Sequence, residues 1–312
     1  MTQGSISASS LTRQHTPRNM NDGIKKSSKY NKRADGSVAP WYSAWTARII
    51  LFVVLLLFLL PIYWMVVSAV KSPEELAQYP PSLWPKVWHW ENFGNATKMM
   101  PFLTYFRNTV IITALSTLFN VLANFIIAYG FSCIEWPWRN KIFFVVIATL
   151  FIPMPVTLIP MFDFWAGLHT INTFIPLVVP ALFGSGFNIF LLRQFMSQIP
   201  KDLLDAGRVD GASEWKLAWS VVFPMTGPAL TAIAIFSAVG AWNDFMGPLI
   251  YLHDEKVQTL AIGLQFFKST GGTDVNYGLL MAASVLVLLP LVLLFFVFQR
   301  YFISGITMGA FK

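Results

Sequence analysis

The chain of 312 residues is 55% hydrophobic and 16% aromatic but only 12% charged, against roughly 25% charged in an ordinary soluble domain, and its mean hydropathy is +0.56. That composition excludes a water-soluble globular enzyme and predicts an integral membrane protein with several spans. The net charge of +7 reports orientation in a chain this apolar, so no nucleic-acid partner is expected.

Residues 1–45 are rich in Ser, Asn, Lys and Arg without sustained apolar periodicity. Such a segment cannot bury enough surface to offset the entropy of ordering, and it reads as a disordered, basic, cytoplasmic tail. Lys25, Lys26, Lys29, Lys32 and Arg33 give it a second reading as a lipid-binding or regulatory arm. It is not a signal peptide, because the first apolar run is too long and lacks a small-residue cleavage site.

That run, 49–70, holds 22 residues without a charge, a helix of about 33 Å that crosses the ~30 Å hydrocarbon core. Five further spans are predicted at 110–131, 142–162, 174–192, 229–252 and 279–302. The expected fold is an all-α membrane protein, with six transmembrane helices over 46–312. Six spans put both termini on one side. Sixteen of the 22 Lys and Arg fall on the tail side and six opposite, so the positive-inside rule places both termini in the cytoplasm of a multi-pass cell-membrane (plasma or inner) protein.

Between the first two spans, Ser72-Pro73-Glu74-Glu75 predicts a helix start with a capping box. Trp84, Trp88 and Trp90 mark an interface on the outer side, and Trp136 and Trp138 mark one on the inner side. In the second span Thr113, Thr117, Asn120 and Asn124 follow helical spacings of four, three and four. They line one stripe, which faces either neighbouring helices or a water-filled path. Pro153, Pro155 and Pro160 in span three, and Pro176, Pro180, Gly184 and Gly186 in span four, predict kinked or interrupted helices, a feature common in transport pathways. Span five carries Trp242-Asn243-Asp244-Phe245, and a carboxylate near the bilayer centre costs about 2.5 to 3.5 kcal/mol on insertion scales. Asp244 serves either a polar path or, nearer the outer face, a helix cap.

The longest cytoplasmic loop, about 196–224, contains Ile199-Pro200-Lys201-Asp202-Leu203-Leu204-Asp205-Ala206-Gly207-Arg208-Val209-Asp210-Gly211-Ala212-Ser213. Pro200 suits a first helical turn, Lys201 and Asp205 are spaced as an i,i+4 pair, and the helix should stop near Gly211. Ser213 can cap a second short helix with Trp215, Ala218, Trp219 and Val222 on one apolar face. Two short helices outside the membrane are shaped to dock on a partner.

The order acidic-Ala-small, three residues, Gly, nine residues, aliphatic, any, apolar, Pro is filled by Asp205-Ala206-Gly207, Gly211, Val221, Phe223 and Pro224. It resembles the EAA loop of ABC importer permeases, with Asp205 in place of Glu, Gly207 in place of the second Ala and Phe223 in place of Leu. Gly211 stands 101 residues from the C-terminus, between spans four and five, as in that family. The runs Val209-Asp210-Gly211-Ala212-Ser213, Trp242-Asn243-Asp244-Phe245 with Pro248-Leu249, and Gln299-Arg300-Tyr301-Phe302 with Gly305 and Gly309-Ala310 are similar to the carbohydrate branch, specifically its second, maltose-type permease subunit.

The resemblance implies a coupling helix around Asp205, Ala206, Gly207, Asp210 and Gly211, with Pro224 turning the chain back into span five. The implied partners are a homologous second permease subunit, two ABC ATPase subunits and an extracytoplasmic sugar-binding protein, within membrane lipid. The sugar path would use Asn120, Asn124, Asn188, Trp242, Asn243 and Asp244. The chain binds no cofactor itself, since it has no GxxxxGK[ST] phosphate loop; ATP and Mg belong to the ATPase subunits. The single Cys133 and the four separated histidines supply neither a nucleophile nor a metal site, so a non-catalytic subunit is expected. The alternatives are an ion-coupled secondary transporter using Asp163 and Asp244, and an ABC permease for a solute other than sugar.

Overall fold

A computed structural model describes residues 41–269 and 276–308. The tail over 1–40 and the final Gly309-Ala310 lie outside the described residues. The described residues are helical, with no strand among them, and fall into two compact units, Met1–Pro61 and Ile62–Lys312.

Helix α1 (Trp41–Ala69) begins four residues before the expected tail boundary. From Ile49 to Leu60 every side chain is exposed and apolar, the surface of a helix that lies in lipid. In the second unit, α2 (Pro73–Leu76) starts as its sequence requires, with Ser72 Oγ accepting from Glu75 N at 3.2 Å. The capping box does not close. The Glu75 carboxylate instead accepts from Ser82 Oγ at 2.6 Å and Lys86 N at 3.1 Å, because the folded-back segment brings it a hydroxyl and an amide together. Trp84 meets Trp88 edge-on and Trp88 stacks on Trp90, with centroids 5.4 Å apart at each step. Helix α3 (Glu91–Lys98) follows, and Asn92 Nδ2 donates to the Ala69 and Lys71 carbonyls, both at 3.0 Å, satisfying acceptors that the end of a helix leaves open.

Helix α4 (Phe102–Ser132) is eight residues longer at its start than the predicted span. Arg107 and Asn108 end the apolar run without ending the helix, since backbone hydrogen bonding continues where hydropathy stops. The third span is broken. Helix α5 (Arg139–Ala148) and its 3₁₀ extension Thr149–Phe151 meet α6 (Met154–Gly167) at a 99° bend. Pro153 forces Ile152 to an extended ψ of 112° and so terminates the first half. The fourth span consists of α7 (Ile175–Val178), a 3₁₀ turn (Val179–Phe183) and α8 (Gly186–Met196), separated by Gly184 at φ 73°.

After the loop come α9 (Lys201–Val209), α10 (Glu214–Leu217), a π-helical turn (Ala218–Val222), α11 (Phe223–Met225) and α12 (Gly227–Trp242). The fifth span therefore ends ten residues short of its predicted limit. Asn243 and Asp244 break it, and α13 (Met246–Tyr251) starts afresh because Asp244 Oδ1 accepts from Gly247 N at 3.1 Å, the local competition that Asx side chains offer a helix. Then follow α14 (Leu260–Ser269) and α15 (Tyr277–Met308), with Pro290 inside the latter. Among the described residues four helices are long and apolar enough to cross a bilayer, and two bent pairs raise the number to six when each counts as one span.

Helix α4 is the central post, packing along α12 and α8. Phe125, Tyr129, Leu192, Met196, Val222 and Ile233 form one core at the loop end. Tyr105, Trp242, Leu260 and Ala282 form another toward the opposite end. Gly186 sets the approach of α8 to α5, since a Cβ there would lie 2.8 Å from the Val146 carbonyl oxygen and 3.2 Å from Leu150. Backbone cannot step aside, so Gly186→Ala is expected to cost roughly 1–3 kcal/mol. It should appear as a lower unfolding temperature in detergent, and an unchanged temperature would refute this packing.

Candidate functional site

The loop between the fourth span and α12 is built from two short helices joined at Gly211. Pro200 (φ −57°, ψ 127°) lies just before α9 rather than in its first turn. α9 stops at Val209, and Gly211 takes φ 79°, a left-handed value that glycine adopts without strain. Ser213 Oγ then accepts from Lys216 N at 3.3 Å and starts α10. The two helices touch at Gly207, where a Cβ would meet Leu217 Cδ2 at 2.6 Å. The family departure at Gly207 is thus matched by the bulk of Leu217. Of the predicted apolar face, Ala218 and Val222 are buried, while Trp215 is 62% exposed and meets Trp219 edge-on at 5.7 Å.

The predicted Lys201–Asp205 pair is absent. Lys201 Nζ reaches across to Glu135 at 3.0 Å, and Asp205 accepts from Arg208 Nη1 at 2.7 Å. Arg208 is the centre of this end of the molecule. Its Nε donates to Glu214 Oε1 at 2.7 Å, its Nη2 donates to the Cys133 carbonyl at 2.9 Å, and Tyr129 Oη donates to Glu214 Oε2 at 2.6 Å. Both loop helices are thereby bolted to the end of α4. The hydrogen bond from Arg208 holds the Glu214 carboxyl below the usual carboxylate range, and the Glu214 carboxylate in turn raises the Arg208 guanidinium, which stays charged. The bond from Lys201 lowers Glu135 in the same way.

Arg208, Glu214 and Tyr129 were not singled out from sequence. The available signal was a cation and a carboxylate facing each other across the Gly211 turn, six residues apart. What the bolted loop leaves outward is a mixed face: Leu203, Asp205, Ala206, Val209, Asp210, Gly211 and Trp215 are exposed, Val209 at 87%, and Pro224 is exposed beyond the π turn. A rigid apolar patch ringed by carboxylates suits a groove with basic walls.

The three interior asparagines come together in one network. Asn120 Oδ1 accepts from Asn124 Nδ2 and from Asn188 Nδ2, both at 2.8 Å, and Asn124 Oδ1 accepts from Ser185 N at 2.9 Å. Asn124 is fully buried. Its position explains the break in span four: the amide of Ser185, freed by Gly184, is satisfied from α4. Thr113 and Thr117 of the same stripe keep buried hydroxyls without a partner among the described residues.

Trp242, Asn243 and Asp244 have separate environments. Trp242 is buried edge-on to Phe106, with centroids 6.0 Å apart, and its indole N–H donates to the Val287 carbonyl at 3.2 Å. Asn243 is exposed and donates to the Val239 carbonyl at 2.9 Å. Asp244 caps α13 and also lines a cavity of about 230 Å³ with Thr109, Ser116 and Thr259. The Thr259 hydroxyl is buried there with no protein acceptor. Asp163 is exposed on α6. Among the described residues no group of His, Cys, Asp and Glu could hold a metal ion.

Residues 121–308 match the family described as binding-protein-dependent transport system inner membrane component. The chain is 31% identical over 281 residues to the arabinooligosaccharides transport system permease protein AraQ of Bacillus subtilis (strain 168), covering 88% of this chain and 98% of that one. It is 32% identical over 255 residues to the diacetylchitobiose uptake system permease protein NgcG of Streptomyces coelicolor, covering 81% and 84%. Among solved structures, a bacterial ABC transporter involved in the import of the acidic polysaccharide alginate shares the fold with a TM-score of 0.74 at 21% identity, over 84% of this chain and 96% of that one. The chain therefore belongs to the binding-protein-dependent transport system inner membrane components.

Proposed function

We propose that this permease imports a sugar or oligosaccharide handed to it by an extracytoplasmic binding protein, and that it works with a homologous second permease and two ABC ATPase subunits. The substrate class rests on the names of the relatives, which handle arabinooligosaccharides and diacetylchitobiose. ATP and Mg belong to the ATPase subunits, and this chain contributes no catalytic residue.

The observation that carries the coupling role is the exposed face of a loop whose own framework is fixed. Asp205, Ala206, Asp210 and Gly211 present that face, Gly207 lets α10 pack beneath it, and Pro224 precedes the 79° bend into α12. When two ATPase subunits close on ATP, a loop bolted through Arg208 moves with the end of α4 as one lever. The cycle biases outward-open and inward-open states of the spans rather than pushing the solute. Asn120, Asn124 and Asn188 act in this scheme by holding the break in the fourth span, while Asp244 with Ser116 and Thr259 offers hydroxyl-binding chemistry on the path. Trp242 and Asn243 shape the wall around it. Family membership sets aside the ion-coupled reading, since a lone gradient-driven carrier has no use for a docking loop.

Purification of the tagged chain in a mild detergent should bring down an ABC ATPase and a second permease; an active, ATPase-free protein would overturn the proposal. Gly211→Asp isolates the docking step. No atom lies within 4 Å of a Cβ at Gly211, and Asp is among the residues that tolerate a left-handed φ, so the variant should fold and reach the membrane. Its added charge on the docking face is expected to lower ATP-driven uptake by about tenfold or more, the equivalent of about 1.4 kcal/mol. Normal uptake at normal membrane levels would contradict the coupling assignment.

A further inference from the structure

A cavity of about 570 Å³ lies between the end of α4, the end of α8 and the loop, and its lining includes Glu135, Arg139, Arg193, Lys201 and Arg208. Its four cations divide into two kinds. Lys201 is paired with Glu135 at 3.0 Å, and Arg208 is held between Asp205 and Glu214, each at 2.7 Å. Arg139 and Arg193 have no carboxylate within 4.0 Å among the described residues.

Their partners are neutral. Arg139 Nη1 donates to the Ile134 carbonyl at 2.8 Å. Arg193 donates through Nε to the Phe131 carbonyl at 3.2 Å and through Nη2 to Asn140 Oδ1 at 2.8 Å, and its guanidinium lies 3.9 Å from the centroid of Phe143. Backbone and amide contacts therefore hold two guanidinium groups on the wall of one cavity, with Glu135 acting on Arg139 only at longer range. Among the described residues most of their N–H donors have no acceptor. Holding two such cations together unpaired costs free energy, and an oxyanion bridging them reverses the sign of the interaction.

The planar fork of a guanidinium matches two oxygens of a phosphate at once. The surroundings place that phosphate at a bilayer edge: Trp138 is exposed, and Lys141 lies over its ring at 4.7 Å, the pairing of an amphipathic ring and a long cation found at membrane interfaces. We propose that Arg139 and Arg193 form a phosphate-binding site beside the coupling loop, taken by the headgroup of an anionic phospholipid or by a soluble phosphate ester. Because Asp205, Arg208 and Glu214 line the same cavity, an occupant also bears on the bolts of the loop. That regulatory consequence rests on the coupling role; the binding does not.

The test uses the wild-type chain purified in detergent with its partners, with thermal unfolding followed in dioleoylphosphatidylglycerol, in dioleoylphosphatidylcholine and in inorganic phosphate against chloride at equal ionic strength. An upward shift of roughly several degrees with the anionic lipid over the zwitterionic one is expected. The Arg139→Gln/Arg193→Gln double variant should lose it, while the Lys141→Gln/Lys216→Gln control, which removes an equal charge outside the pair, should keep it. A shift given by inorganic phosphate and lost in the double variant, with none from the lipid, assigns the site to a soluble phosphate. Should the double variant fail to fold, native mass spectrometry of the wild type decides: retention of phosphatidylglycerol over phosphatidylcholine, or of inorganic phosphate, supports the site. Equal retention of both lipids without phosphate binding, or shifts that persist in the double variant, overturns it.

Discussion

Replacing Arg208 by alanine is expected to leave the protein in the membrane and to lower ATP-driven uptake by about tenfold or more. The guanidinium ties α9 to α10 through Glu214, pairs with Asp205 within α9, and ties both helices to the end of α4 through the Cys133 carbonyl. Charged hydrogen bonds of this kind contribute about 1.5–3 kcal/mol each when shielded. The Arg208 side chain is 35% exposed, so screening reduces the total to roughly 1–2 kcal/mol. The variant also leaves Glu214 facing Tyr129 without its counter-charge. A lever that bends at its joint transmits less motion, so ATP hydrolysis should persist while uptake falls. Arg208→Lys, which keeps the charge but not the planar fork, should be intermediate. A double-mutant cycle with Glu214→Gln should show coupling between the two positions. The contrast is Lys201→Ala: its partner and it are both 76% exposed, and the change should alter stability by less than about 0.5 kcal/mol. Uptake unchanged in Arg208→Ala would refute the bolt.

Asn124→Leu should be the most destabilising substitution inside the membrane. It removes the acceptor of the Ser185 amide and the donor to Asn120 at a fully buried position. Interhelical hydrogen bonds in membranes average about 0.6 kcal/mol, with a maximum near 1.7. An amide stranded by the change costs about 1–3 kcal/mol more. A total loss of roughly 2–4 kcal/mol follows, with unfolding in detergent at a lower temperature and uptake reduced in parallel. Thr117→Val, seven residues earlier on the same stripe, removes a hydroxyl that has no protein partner and should be neutral or slightly stabilising. Equal effects from the two substitutions would show that the stripe acts by polarity alone rather than through the break at Gly184.

The helix-forming runs, the proline breaks and the cap residues were legible because each depends on neighbours within a turn. Ser72 and Ser213 cap where their spacing says they should, Pro153 stops α5, and Gly211 turns the loop. The misreadings share one cause. Lys201 was matched with Asp205 by helical spacing, whereas the fold offers it Glu135, 66 residues away. The 3.6-residue period put Trp215 on one apolar face with Ala218 and Val222, but it does not register that the fold buries those two and leaves Trp215 62% exposed. The fifth span was extended through Asn243 and Asp244 by hydropathy, which does not register that an Asp side chain can take a backbone amide for itself. The asparagine stripe was seen, but its partner across the bundle was not.

Composition and apolar run lengths by themselves determined that this protein lives in a membrane with about six crossings, since exposing that much apolar surface to water is strongly unfavourable. The loop motif determined its family, because a carboxylate, a glycine turn and a proline at fixed spacing are local geometry. Only the tertiary structure decided which polar groups are structural and which are free: Asn124 spent on Ser185, Arg208 on three loop and helix partners, Arg139 and Arg193 on neutral groups alone. A hydrogen bond or an ion pair is set by distances of about 3 Å between residues far apart in sequence, and no periodicity along one chain records which helix will stand opposite.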